Sequence, residues 1–266
     1  MLANYHTHTV RCKHAYGTER EYIEAAIKKG FKTLGFSDHV PQPYPAHYIS
    51  PIRMAMSDIE DYTSTLTALK EEYKDRIEIL IGYEVEYTNK YFKPLLAELC
   101  RYPLDYMILG QHYVPDEIEG NYMGVATASE EKLRGYTELC IEGMETGLFS
   151  YLAHPDLIYY TGPDRIYKKY MTKIVEAAVE LNVPLEVNLF GMIDHRNYPC
   201  DRFFSLAANS GARFVVGCDA HTSDMILNIE DVPELRRFLK RYDISIGDNV
   251  LKMKSDLKAK AAAYCK

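Results

Sequence analysis

The sequence predicts an α/β barrel of seven βα units formed as one domain over residues 1–266. Three observations predict it. Short runs rich in β-branched and aromatic residues alternate with amphipathic stretches, the pattern of a parallel sheet wrapped by helices. A length of 266 residues suits a single barrel, since such folds occupy about 250 residues. Each β-type run also ends in, or runs into, a residue able to bind a metal ion, at the rim where barrels place their chemistry.

The first run is ANYHTH (3–8), and the stretch TEREYIEAAIKKG after it sets Tyr22, Ala25 and Ala26 at helical spacing and ends on Gly30. KTLGFS (32–37) is the second, followed by SDIEDYTSTLTALKEEYK, a helix expected to open on a Ser57 cap with a carboxylate three residues on. IEILIGYEVEY (77–87), LDYMILGQ (104–111), LFSYLA (148–153), PLEVNL (184–189) and ARFVVGC (212–218) complete the seven. Further helices are expected over 129–146, 164–182, 200–210 and 231–241. No Gly/Ser/Pro-rich linker separates two cores.

Composition narrows the function. A net charge of -7 gives no basic field for a long nucleic acid. The six cysteines form no CxxC pair, so they read as reduced thiols of a cytoplasmic protein. The N-terminus lacks a signal-peptide pattern, and no apolar run approaches the roughly 18 residues that span a bilayer, so no membrane partner is expected.

The chemistry lies at the strand ends: His6 and His8, then Asp38 and His39, Glu84, His112, His154, Glu186 with Asn188, and Asp219 with His221. In HTH two imidazoles two residues apart on a strand share one face and can bind one ion. Alone, such a pair is as often a hydrogen-bonded lining. SDH, GYE, GQH, AHPD and CDAH repeat the same placement, and five further coincidences make the bland reading untenable. Seven imidazoles with Glu84, Asp219 and Asp38 exceed the needs of one tetrahedral ion, so two or three divalent ions are expected. Mixed imidazole and carboxylate donors suit Zn, Mn or Fe better than Ca or Mg. Clustered ions of this kind favour hydrolysis of a phosphate ester by hydroxide attack on phosphorus.

The ordered set HTH, RCKH, SDH, GYE, GQH, AHPD and CDAH resembles the polymerase and histidinol phosphatase (PHP) family over nearly the whole chain. The resemblance implies a distorted, TIM-like (β/α)7 barrel with a trinuclear centre. It implies a first ion on His6, His8, Glu84 and Asp219, a second on a bridging Glu84 with His112 and His154, and a third on His14, His39 and His221. Within the family, LEVNLFG and NYP are most similar to the enzymes that hydrolyse L-histidinol phosphate in histidine biosynthesis. The departures are Cys218, where a serine is expected, and Gln111, where a smaller residue is common.

Glu84, Asp219 and His221 are the expected catalytic groups beside the ions, with leaving-group protonation open between Asp219, His221 and water. Guanidinium forks grip phosphoryl oxygens bidentately, which nominates Arg196 in DHRNYP and Arg165 in GPDRIY, although either could be a surface ion pair. His47 and His195 read as solvated, with His195 close enough to Arg196 to touch substrate. The Pro-rich loop 40–56, carrying Tyr44, Tyr48 and Arg53, reads equally as a lid or as a fixed rim loop. The competing functions are a phosphoesterase of nucleotides or short oligonucleotides and a metal-binding module without chemistry.

Overall fold

Parallel pairing begins with β1 (Ala3–Asn4), β2 (Thr33–His39), β3 (Glu78–Val85) and β4 (Tyr106–Leu109), hydrogen-bonded in that order in the computed structural model, which describes residues 1–265. A two-stranded hairpin, β5 (Tyr113–Val114) with β6 (Asn121–Tyr122), projects from the rim after β4. β7 (Leu185–Asn188) and β8 (Phe214–Gly217) pair in parallel on the far side. The fifth stave pairs through a single residue: Leu152 bridges Leu109 on one side and Leu185 on the other. A bridge from Thr7 to Ala220 closes the ring, so the expected seven staves are present.

Around them run α1 (Glu19–Lys28), α2 (Ile59–Tyr73), α3 (Phe92–Leu99), α4 (Glu130–Glu145), α5 (Asp164–Glu180), α6 (Leu189–Ile193), α7 (Asp201–Ala207), α8 (Pro233–Arg241) and α9 (Leu257–Tyr264). Thr18 and Glu21 form a reciprocal capping box on α1. Ser57 is not the cap expected for α2: it lies inside a 3-10 turn, Met56–Asp58, and Asp58 instead accepts from Ala55 N at 2.8 Å. The sequence reading did not anticipate α3, the hairpin, α6 or α9. Among the described residues no helix is long and apolar enough to cross a membrane.

Strand alternation decides what faces inward. On β3, Ile79, Ile81, Tyr83 and Val85 pack under the helices, while Leu80 belongs to a small inner cluster with Tyr5, Tyr106, Ile108 and Val215. Gly35 and Gly82 leave space for the Tyr106 ring, because a Cβ at either would overlap it. The ring thus plugs the barrel and its hydroxyl donates to Tyr5 O at 2.7 Å. Glu84, next on the same face as Gly82, stands above this plug. The β2–β3 register, running to His39 opposite Glu84, sets two expected ligands side by side.

Between β8 and β1 the ladder is replaced by asparagine side chains. Asn249, buried and at φ 60°, accepts from Val216 N at 2.8 Å and donates to Ala3 O and Val216 O. Asn4 accepts from Cys218 N at 2.9 Å. Both amides stand in for strand backbone below the Thr7–Ala220 bridge, which answers the demand of buried peptide groups for partners.

Candidate metal centre

The staves bring all nine expected metal-binding side chains to one rim. Glu84 is central: its Oε1 lies 2.7 Å from His154 Nε2 and 3.5 Å from His112 Nε2. Its Oε2 lies 2.9 Å from His39 Nδ1 and 3.6 Å from both His6 Nε2 and His8 Nε2. Asp219 Oδ1 faces the same pair, 3.5 Å from His6 and 3.0 Å from His8. His14, His39 and His221 group their ring nitrogens within 4.8 Å of one another at the outer edge.

These residues fit divalent ions. His6 Nε2, both nitrogens of His8, His39 Nδ1, His221 Nε2 and Glu84 Oε2 are buried without a hydrogen-bond partner. Such atoms are costly to leave unmet in a protein interior, and here their lone pairs converge. The donors form five overlapping sets, four of imidazoles and carboxylates alone and one, His8 with His221, that also includes Cys12, suited to ions that take both nitrogen and oxygen.

Charge is arranged to keep the ligands competent. Burial opposes ionisation of Glu84, yet His112, His39 and His6 hold its pKa well below the usual carboxylate range. Asp219, also buried, is held low by His6, His8 and His221. Burial opposes charging His6, but Asp219, Glu186 and Glu84 push its pKa up to about 10. Burial, with His154 and Arg53 adding repulsion, brings His112 down to about 3 against the pull of Glu84, and burial with His8 and His14 brings His221 to about 3. The centre therefore holds anionic carboxylates beside two kinds of imidazole: His39, His112 and His221, which burial keeps neutral, and His6, His8, His14 and His154, which their neighbours push toward the protonated form, where protons compete with cations for the same lone pairs.

Further polar groups fix the rings from behind. Glu186 Oε1 sits 2.8 Å from His6 Nδ1, and Asp38 Oδ1 lies 3.4 Å from His8 Nδ1 while accepting from His39 N, with Asp38 Oδ2 accepting from Thr9. A carboxylate on the second nitrogen of a ligating imidazole sets its tautomer and orientation. Glu186 Oε2 also accepts from His154 N at 2.9 Å, supporting a non-glycine residue at φ 27°, and Asn188 links Glu186 to Asp219, itself at φ 51°. Asp38, Glu186 and Asn188, singled out as metal-capable strand ends, thus stand behind the imidazoles. Gly110, from GQH, and Gly217 are required because a Cβ at either would overlap the Glu84 or the Glu186 carboxylate.

The centre opens into a cavity of about 450 Å³ walled by Tyr113, Tyr122, Phe190, Arg196 and Tyr198. Arg196 reaches it as expected, resting over the Phe190 ring at 4.1 Å and bonded to Asp194 at 2.9 Å. Arg165 does not: it is exposed on the first turn of α5, away from the cavity lining, because the fifth stave releases the chain outward before that helix begins. His47 is exposed in the loop after β2, and His195 lines two neighbouring outer cavities but not the metal cavity. Cys218 turns its thiol to Leu227 O, away from the ions' donors.

The loop 40–56 is anchored. Arg53 is buried and pairs with both Glu86 and Glu117, Glu86 accepts from His112 N and Tyr113 N, and Gln42 donates to Glu86 O at 3.1 Å. Tyr48 donates to Glu117 at 3.0 Å. Sequence reasoning missed Glu86, Glu117, Tyr122 and Tyr198. Only the period-two spacing from Glu84 to Glu86 and the placement of Tyr198 in NYP gave any signal.

Residues 4–190 match the family model described as PHP domain, and the chain belongs to that family of metal-dependent phosphoesterases. A Deinococcus radiodurans protein named "Probable histidinol-phosphatase" is 30% identical over 251 residues, covering 87% of this chain and 94% of the relative. The Bacillus subtilis "Histidinol-phosphatase" is 34% identical over 115 residues, 41% of this chain and 43% of that protein. The fold matches that of histidinol phosphate phosphatase from Lactococcus lactis, solved with zinc, L-histidinol and phosphate, at a TM-score of 0.70 and 18% identity, covering 94% of this chain and 98% of that one.

Proposed function

We propose that this phosphoesterase hydrolyses L-histidinol phosphate to L-histidinol and phosphate, using three divalent ions held by the sets anticipated from the sequence. The observation that carries the reading is the convergence of His6, His8, His39, His112 and His154 on Glu84 and of His6, His8 and His221 on Asp219, with buried ring nitrogens left free for cations. His6, His8, Glu84 and Asp219 would hold the first ion, Glu84, His112 and His154 the second, and His14, His39 and His221 the third. Bound divalent ions supply a hydroxide nucleophile near neutral pH and neutralise charge on phosphoryl oxygens. Arg196 places its guanidinium at the cavity wall, where it adds a cationic fork for those oxygens. Glu186 and Asp38 keep the ring nitrogens of His6 and His8 aimed inward.

The relatives and the Lactococcus lactis complex support L-histidinol phosphate as the substrate. The reading treats residues 1–266 as one catalytic domain and sets it in the cytoplasm, with six free thiols fitting a reducing compartment. The test is phosphate release by protein reconstituted with Mn or Zn, comparing L-histidinol phosphate with nucleotides, dinucleotides and simple phosphomonoesters. The expected result is a clear kcat/KM preference for L-histidinol phosphate. Equal or faster turnover of the other esters discards that substrate and keeps the phosphoesterase.

A further inference from the structure

A second and larger cavity, of about 700 Å³, adjoins the metal cavity and shares with it Tyr122, Arg196 and Tyr198. Beyond that shared wall the outer cavity is bounded by Tyr159, Tyr160 and Tyr167. The wall is preorganised by backbone hydrogen bonds: Tyr159 N donates to Met123 O at 2.8 Å, Thr127 N to Tyr159 O at 2.9 Å, and Thr161 N to Thr127 O at 2.8 Å. These bonds tie the tyrosine segment to the end of the hairpin that carries Tyr122. Arg202 stiffens it further, lying over Tyr167 at 4.0 Å with both terminal nitrogens given to Tyr160 O and Gly162 O and its charge met by Asp164 at 2.7 Å.

We propose that this outer cavity is the leaving-group subsite and that it selects esters whose alcohol carries a planar aromatic ring. The inference rests on the phosphomonoesterase reading above. With the phosphoryl group between the imidazoles and Arg196, the organic half extends past Tyr122 and Tyr198, the residues common to both cavities, into the outer space. The described residues lining that space include no carboxylate, and the rings accessible in it are those of Tyr122 and Tyr159, with Arg196, Arg202, His195 and Asn197 among the polar groups, so a neutral ring is favoured there over an ammonium group. Recognition is by the shape and faces of a ring: offset or edge-on packing between tyrosines rewards an aromatic ring over an aliphatic one of equal size. A flat heterocycle such as imidazole satisfies this, and so does a plain phenyl ring.

The test is calorimetric binding of three non-hydrolysable ligands to the metal-loaded full chain: ethylphosphonate, 2-cyclohexylethylphosphonate and 2-phenylethylphosphonate. The phenyl compound is expected to bind at least about tenfold tighter than the ethyl compound and about threefold or more tighter than the cyclohexyl one. Both ratios should fall toward unity in Tyr159→Ala, at a partly exposed position that folding tolerates, and in Tyr122→Leu. Equal affinities in the unaltered protein, or ratios unmoved in both variants, overturn the subsite. Failure to release phosphate from any monoester with the ring preference intact would strike the phosphatase reading and leave the subsite standing.

Discussion

Two clusters of buried charge lie on opposite sides of His112, and they solve the cost of burial differently. Behind the ring, Arg53 meets Glu86 and Glu117, and Glu86 also takes two backbone N–H groups, so the guanidinium and the carboxylates answer one another within the protein. In front of it, Glu84 and Asp219 face imidazoles whose nitrogens are left without donors or acceptors. A closed cluster holds structure, here joining the loop after β2 to the hairpin after β4. An open one is complete only with cations, and the contrast separates scaffold from site without reference to any relative.

The largest test of that contrast is Glu84→Gln, which removes the charge common to the first and second proposed ion sites. It is expected to lower kcat/KM for phosphomonoesters by on the order of 10⁴-fold and to deplete bound metal measured by elemental analysis. Retention of both would remove Glu84 from its bridging place. Arg53→Met should act on stability instead, costing about 3 to 5 kcal/mol in urea unfolding because it strands two buried carboxylates. The loss should be the same with and without chelator, and a variant as stable as the parent would show the triad to be dispensable.

Asp156 is an intermediate case, buried, accepting from Cys200 N at 2.6 Å on one oxygen and unpartnered on the other. Burial raises its pKa from 3.8 to about 6 against the pull of that hydrogen bond. The folded protein therefore binds this proton more tightly than the unfolded chain. The associated stability is complete below the unfolded pKa and lost as pH rises through about 6. Asp156→Asn keeps the acceptor and cannot ionise, so its stability relative to the parent should improve from pH 4.5 to pH 8 by about 2 kcal/mol. A pH-independent difference in calorimetric unfolding would show that the carboxylate is ionised throughout.

Much of this was readable from the chain because strand ends carry it. ILIGYEV alternates so regularly that its inward set, ending in Glu84, follows from period two alone, and the histidines of SDH and GQH inherit their direction in the same way. What could not be read depends on where loops travel. Arg196 and Arg165 give the same compositional cue, yet one reaches the cavity and the other faces solvent. Arg53 sits in a Pro-rich loop that looks solvated, and its burial depends on carboxylates from two other segments. LFSYLA has strand composition but pairs through Leu152 alone, since the chain turns at His154 to deliver its ring. The helix α9, LKAKAAAY, shows almost no separation of apolar from polar residues and so gives no periodic signal.

The asparagine seam has a consequence for the order in which the molecule is made. Staves one to four can pair as they are synthesised, each beside its predecessor, but the last stave reaches the first only across the whole chain, and Asn249 must arrive to occupy the gap. Joining such distant partners carries the largest loop-closure cost in the fold and comes late. While the ribosome is still adding residues beyond β8, His6 and His8 already hang on an open ribbon, with Asp219 and His221 not yet locked opposite them. The nascent protein thus holds the pieces of its metal centre before it can close them into one, and full loading awaits the final turn of the chain.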